Sequence, residues 1–408
     1  MGGGAVRPGP GAEASPPSPP ALQVGAAAAM RRVLLWLLLS ALGAGPEAAA
    51  AAATDFAWRP QRIPRLVVLA GPARDAVGAA EALSFETAWE NGTRALTRVG
   101  IRGPLPPGPR PRPAGAARPK RQVFGADGRF SIADPRFAGG FPFSAAVRLS
   151  TGCSGVLVSP RHVLTAAHCV HDGRGFVRGG RGLRVGLLRA GPGRRGGARM
   201  RAGRAGATAA TGREAGVRRR AEAGAGRRRR RRAGARAAFR WIRVKNTHVP
   251  RGWATGEGHE PGLDYDYAVL ELKRAHGQRP MALGVSPDTE DTPGRRIHFS
   301  GFDDDRPERV VYRFCRVARE SPDLLFQRCD ARAGAGGSGV YLRLRDPATR
   351  AWTRKVVAVY AGHQREAGAG APGPGAPGSY NVAVRITPLK YAQICLWIHG
   401  NDADCAHG

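Results

Sequence analysis

Acidic residues are scarce in this sequence: 31 Asp plus Glu face 64 Lys plus Arg over 408 residues, a formal charge of +33. A surplus of that size points to polyanionic partners rather than cationic ones. Aromatic residues make up only 7%. Outside one Arg-rich stretch they are not interleaved with basic residues along the chain, so a specific nucleic-acid platform is not expected. The six cysteines include no Cys-x-x-Cys spacing, which argues against a zinc site. Long apolar runs are missing too. The strongest, Val33 to Leu42, is about ten residues where a bilayer span needs about 20, so no membrane span is expected. No repeat of 20 to 50 residues is present.

What the chain does hold is glycine (58) and proline (33), so part of it is expected never to fold. The charge is concentrated: 18 Arg and 2 Glu lie between Arg189 and Arg240. Among Gly and Ala, with almost no large apolar side chain, this stretch cannot bury enough surface to offset backbone ordering. Residues 189–238 therefore read as a disordered insert, either a solvated loop or a tether for heparan-type polyanions.

The front of the chain reads as targeting. Met30-Arg31-Arg32 precedes the apolar Val33 to Leu39, and small residues continue to Ala53, the pattern of a secretory signal peptide over 30–53. Residues 1–29 form an upstream extension, with translation expected to begin at Met30. Export agrees with a glycosylation acceptor at Asn91 in Asn91-Gly92-Thr93. Residues 54–121 read as a propeptide. They end in a Pro-rich stretch and Arg118-Pro119-Lys120-Arg121, where a processing protease would cut after Arg121. The mature domain then spans 122–408.

From Phe141 onward, short alternating or β-branched runs are separated by turn residues, as in Ala145–Leu149, Gly155–Val158, Ala268–Leu272 and Lys355–Val359. This rhythm predicts an all-β barrel or sandwich. A single helix is predicted over Pro388–Ile398.

Three residues carry the chemistry. His168 sits in Leu164-Thr165-Ala166-Ala167-His168-Cys169, and His171 nearby reads as a surface residue. Asp266 opens Asp266-Tyr267-Ala268-Val269-Leu270. Ser338 lies in Gly334-Ala335-Gly336-Gly337-Ser338-Gly339-Val340, a turn into a strand. A serine hydroxyl needs an imidazole to take its proton, and a buried carboxylate holds that imidazole in the required tautomer. Glycines beside the serine let backbone N–H groups converge on a developing oxyanion, with Gly336 and Ser338 as the expected donors. Asp264 and Asp266 fall on one side of an expected strand, and either could reach the histidine.

These segments, in the order His, Asp, Ser, resemble the trypsin-like (chymotrypsin-fold) serine peptidases. Arg295–Phe302 is similar to the strand opening that family's second barrel, and Asn381–Ile386 with the terminal helix to its closing elements. The resemblance covers about 122–408 apart from the insert. It implies two antiparallel β-barrels with a C-terminal helix and a triad of His168, Asp266 and Ser338. It also implies a Cys153–Cys169 bridge around the histidine loop. Six cysteines allow fifteen pairings, and proximity and elimination then suggest Cys315 with Cys329 and Cys395 with Cys405.

The chain departs from the family at Gly337, where an Asp normally precedes the nucleophile and pairs with the freed amino terminus. Gln122 stands behind the expected cut, and the serine loop resembles the bacterial glutamyl-endopeptidase branch instead. Six positions before Ser338 stands Arg332, with Asp330 two residues earlier. An arginine there would disfavour basic side chains at the cleavage position. His363 could line the same pocket, next to Ala361, where the family has Ser. The expectation is a secreted serine endopeptidase acting on protein or peptide substrates without metal or cofactor. The alternative is a catalytically weak or inactive protease-fold binding protein that engages polyanions through the insert.

Overall fold

A computed structural model describes residues 61–69, 78–102, 123–189, 239–254, 262–287, 294–345, 349–365 and 379–401. The signal segment 30–53, the extension 1–29, the basic stretch 118–121 and positions 190–238 of the insert lie outside the described residues.

The described N-terminal part supplies β1 (Arg65–Val68), a short helix α1 (Ala79–Leu83), β2 (Phe85–Trp89), β3 (Arg94–Thr97) and β4 (Val99–Arg102). After position 122 come β5 (Phe130–Ile132) and α2 (Pro135–Ala138), the latter started by Asp134, whose side chain accepts from the Arg136 N–H. The first barrel is built from β6 (Ala146–Leu149), β7 (Ser154–Leu157), β8 (His162–Thr165), β9 (Arg184–Leu188), β10 (Phe239–Pro250) and β11 (Ala268–Leu272). Its lateral order is β11-β8-β7-β6-β9-β10, and pairing of β10 with β11 closes the ring. A one-turn helix α3 (Arg251–Ala254) follows β10, and β12 (Ala282–Leu283) precedes the second barrel.

That second barrel contains β13 (Arg296–Gly301), β14 (Val310–Glu320), β15 (Leu324–Gln327), β16 (Gly339–Arg345), β17 (Trp352–Arg365) and β18 (Ser379–Arg385). The order β17-β16-β13-β14-β15-β18 is closed by β17 against β18. Both barrels are antiparallel, as the rhythm of short strands predicts. In β13, Ile297 and Phe299 are inaccessible to solvent, His298 and Ser300 on the other face are buried as well, and Arg296 at the strand's start is exposed. The interior of the first barrel is filled by Val147, Leu149, Leu157, Val163 and Leu187. The terminal helix α4 runs Pro388–His399, capped by the Thr387 side chain at its start and by left-handed Gly400 at its end.

The described part of 54–121, read as a propeptide, pairs with the first barrel. Strand β2 pairs with β10 over Asn246–Pro250, beyond the stretch of β10 occupied by β9, so it adds a strand to the first barrel's wall. Phe85 packs edge-on against Trp397 of α4 at 5.4 Å, the Gln393 side chain donates to the Leu83 carbonyl, and Arg251 N–H donates to Ser84 O at 2.6 Å. A long strand offers hydrogen-bonding edge that its barrel neighbours do not cover, and β2 takes it. Composition carries no signal of that vacancy.

Candidate active site

The histidine loop is fixed before its chemistry begins. Strand β8 ends at Thr165, and a 3-10 turn over Ala167–Cys169 brings His168 round. The Cys153–Cys169 bridge fastens that turn to the start of β7. Asp266 follows a second 3-10 turn, Leu263–Tyr265, and stands just ahead of β11, which pairs with β8 in register Ala268 to Thr165. Neighbouring strand ends therefore deliver acid and imidazole to one place. Asp266 is wholly buried and accepts twice from His168: the backbone N–H reaches Oδ1 at 2.8 Å and ring Nδ1 meets Oδ2 at 2.8 Å. A carboxylate facing Nδ1 keeps the proton on that nitrogen and leaves Nε2 as the basic one. Nε2 lies 3.5 Å from Cys169 Sγ. Of the two acids that could reach the histidine, Asp266 does so. Asp264 belongs to the 3-10 turn rather than to one side of a strand.

Ser338 is turned into its own loop. Its hydroxyl is fully buried and donates to the Ala335 carbonyl at 2.7 Å, while its N–H closes the same turn on Ala335 O at 3.1 Å. The side chain lies against Gly301, where a Cβ would collide with its Oγ. The cause is Gly337, whose φ of 84° reverses the chain between Gly336 and Ser338. A Cβ at Gly337 would strike Thr165 Oγ1 and Ser154 O, so no other residue fits that approach. The expected pair of oxyanion donors is corrected as well, since Ser338 N–H is spent inside the turn.

Gly336 lies against the start of β7. Its carbonyl accepts from Ser154 N–H at 2.8 Å, next to Cys153. Sulfur atoms of Cys153 and Cys169 and a ring nitrogen of His168 all fall within 4.8 Å of one another. Those sulfurs are bridged, so they offer no thiolate to a metal ion. Sequence reading overlooked Ser154. Its hydroxyl donates to Gly334 O at 2.8 Å and accepts from Phe302 N–H at 2.8 Å, joining both barrels to the serine loop.

Several other expectations resolve differently. His171 is buried, not at the surface: its ring stacks edge-on with Phe176 at 4.9 Å, and burial pushes its pKa below the ordinary value. Asp330 is buried, and its two oxygens accept from Phe124 N–H and Gly128 N–H, both at 2.6 Å, which clasps the segment after position 122 onto the second barrel. Arg332 is exposed, and its N–H donates to Asp303 at 3.2 Å. His363 is buried, with Nε2 2.9 Å from Ser379 Oγ. Asn91 is exposed at the turn between β2 and β3, where its side-chain oxygen accepts from Thr93 N–H. Cys315 pairs with Cys329. Cys395 is disulfide-bonded, and Cys405 lies outside the described residues.

Two closed antiparallel barrels with a histidine–aspartate couple at neighbouring strand ends define a chymotrypsin-fold scaffold. The trypsin-like peptidase domain model matches residues 153–344. The chain is 50% identical to mouse "Inactive serine protease 35" (Mus musculus), with 93% of this chain and all of that one aligned. It is 46% identical to human "Serine protease 23" (Homo sapiens), over 80% of this chain and 78% of that one. A solved glutamyl endopeptidase in complex with MPD aligns at 17% identity and a TM-score of 0.42, over 67% of this chain and 98% of that one. The chain thus belongs to the trypsin-like serine peptidase family.

Proposed function

We propose that this chain is an exported, non-hydrolytic member of its family, a binding protein on a peptidase scaffold. One observation carries the reading: the Ser338 hydroxyl is buried and donates to the Ala335 carbonyl of its own loop. A hydroxyl engaged within its own loop is not offered to a general base, so acyl transfer does not begin there. The printed name of the mouse relative, inactive serine protease 35, agrees with it. Export is supported by the signal-like segment 30–53 and by bridged cysteines, which belong to oxidising compartments.

A fluorophosphonate probe tests the assignment. Wild type and Ser338→Ala are expected to remain equally unlabelled. Gly336→Ser, which sets a hydroxyl beside the retained His168–Asp266 couple, is expected to gain labelling. Strong labelling of the wild type that disappears in Ser338→Ala would restore the endopeptidase reading with Ser338 as nucleophile.

A further inference from the structure

The second barrel carries a row of arginines on its solvent face. Strands β17, β16, β13 and β14 are consecutive neighbours. Arg354 stands directly opposite Arg343, and Arg296 directly opposite Arg316. Pairing of His298 with Tyr341 carries β13 and β16 forward so that Arg296 and Arg343 lie two residues along on the same side. Four arginine positions from four strands thus form one line across the sheet, about 14 Å long at the usual strand spacing; Arg354 is half-buried over Phe141 at 5.6 Å, and Arg316 also donates to the Gly294 carbonyl at 2.7 Å. Like charges set directly opposite destabilise a sheet. A folding requirement does not explain such a row.

Among the described residues, no ion pair joins Arg296, Arg343 or Arg354 to a carboxylate. The row is flanked by exposed aromatics instead. Arg296 lies over Phe314 at 5.1 Å and Arg343 over Trp352 at 4.8 Å, with those rings 40% and 54% exposed. Burial, and then the charges of Arg343, Arg296 and Arg354, push the pKa of His298 down to about 4. This combination of cations and flat apolar faces is absent from any single stretch of sequence. The sheet assembles it from strands far apart in the chain.

We infer that the row Arg354–Arg343–Arg296–Arg316 on the outer wall of the second barrel is a binding surface for a linear sulfated polysaccharide. Guanidinium groups bind sulfate oxygens as they bind phosphate, through paired charge-assisted N–H bonds. Phe314 and Trp352 offer flat surfaces to the sugar rings. A chain with bridged cysteines works where polyanions are sulfated glycans rather than nucleic acids. The inference deepens the reading of the chain as a binding protein and is tested separately from it.

The experiment measures binding of the full chain to immobilised heparin across NaCl concentrations. It compares wild type, R296Q/R343Q/R354Q, and the charge-matched R227Q/R228Q/R229Q in the insert. The row variant is expected to bind at least about tenfold more weakly near physiological salt, with a log–log salt slope shallower by about 2–3. The insert variant is expected to stay within about threefold of wild type, and desulfated heparin to bind neither. Because the row is a like-charge arrangement, the row variant should melt at or above the wild-type temperature. If it is poorly folded, the exposed single change Arg343→Glu supplies the same comparison. Unchanged binding by the row variant, or an equal loss in the insert variant, overturns the inference. So does equally tight, row-dependent binding of single-stranded RNA. Probe labelling of wild type would overturn the non-hydrolytic reading and leave this result standing.

Discussion

Asp266 meets His168 twice, once at the ring and once at the backbone, and so fixes both the tautomer and the turn that carries it. The second contact should show in stability. Asp266→Ala leaves a His168 N–H without its buried acceptor, at about 1–3 kcal/mol, and removes the partner of Nδ1 as well. The expected outcome is a lower melting temperature, by about 2–4 °C for each kcal/mol lost, with no change in probe labelling. An unaltered melting curve by calorimetry would show that the couple does not hold the loop. His168 and Asp266 were legible in the sequence because each sits in a long local pattern ending or beginning a strand. Ser338 was not. Reading a side chain's direction from its place before a strand assumes an extended backbone, and the left-handed turn at Gly337 breaks that assumption. Ser154 escaped notice because its partners, Gly334 and Phe302, are remote in sequence and give no local sign.

Strand β2 shows how much an element's role depends on an edge supplied elsewhere. The alternation of β6, β7 and β11 was legible, and so was the terminal helix, since period and caps are local properties. That 85–97 would form a hairpin on β10 was not, because it requires knowing where β9 stops along that strand. Cleavage after Arg121, if it occurs, would not separate the two parts. Five paired positions between β2 and β10, and Phe85 against Trp397, cross the break. The nicked protein is expected to elute as one species on size exclusion and as two bands on a denaturing gel. Phe85→Ala, at about 3–5 kcal/mol for a buried aromatic, is expected to release the N-terminal piece. Separate elution of the nicked wild-type pieces would return that segment to the status of a detachable propeptide.

Across the whole molecule, charge and burial meet at histidines. His248, at the junction of β10, β2 and the terminal helix, is pushed down to about 4 chiefly by burial, as His298 is in the second barrel. Both are neutral in the folded chain at pH values where an unfolded histidine, at 6.5, already binds a proton. The unfolded state therefore holds more protons between these limits, and stability falls as pH drops from 6.5 toward 4. Denaturant midpoints are expected to be flat above 6.5 and to decline through that window. His248→Gln should shallow the slope, and an identical slope in that variant would place the proton uptake elsewhere. Net charge was legible from composition, but its layout was not. Arg296, Arg343 and Arg354 are scattered in sequence and become neighbours only through strand register.

Strand β13 opens with Arg296 at the surface, places Ile297 and Phe299 inside the barrel, and keeps His298 and Ser300 covered on the other face. Only the leading position of this short segment is thereby open to solvent. A change at 296 should alter the outer wall at little cost to the barrel, whereas a change at 297–300 should disturb packing on one face or the other.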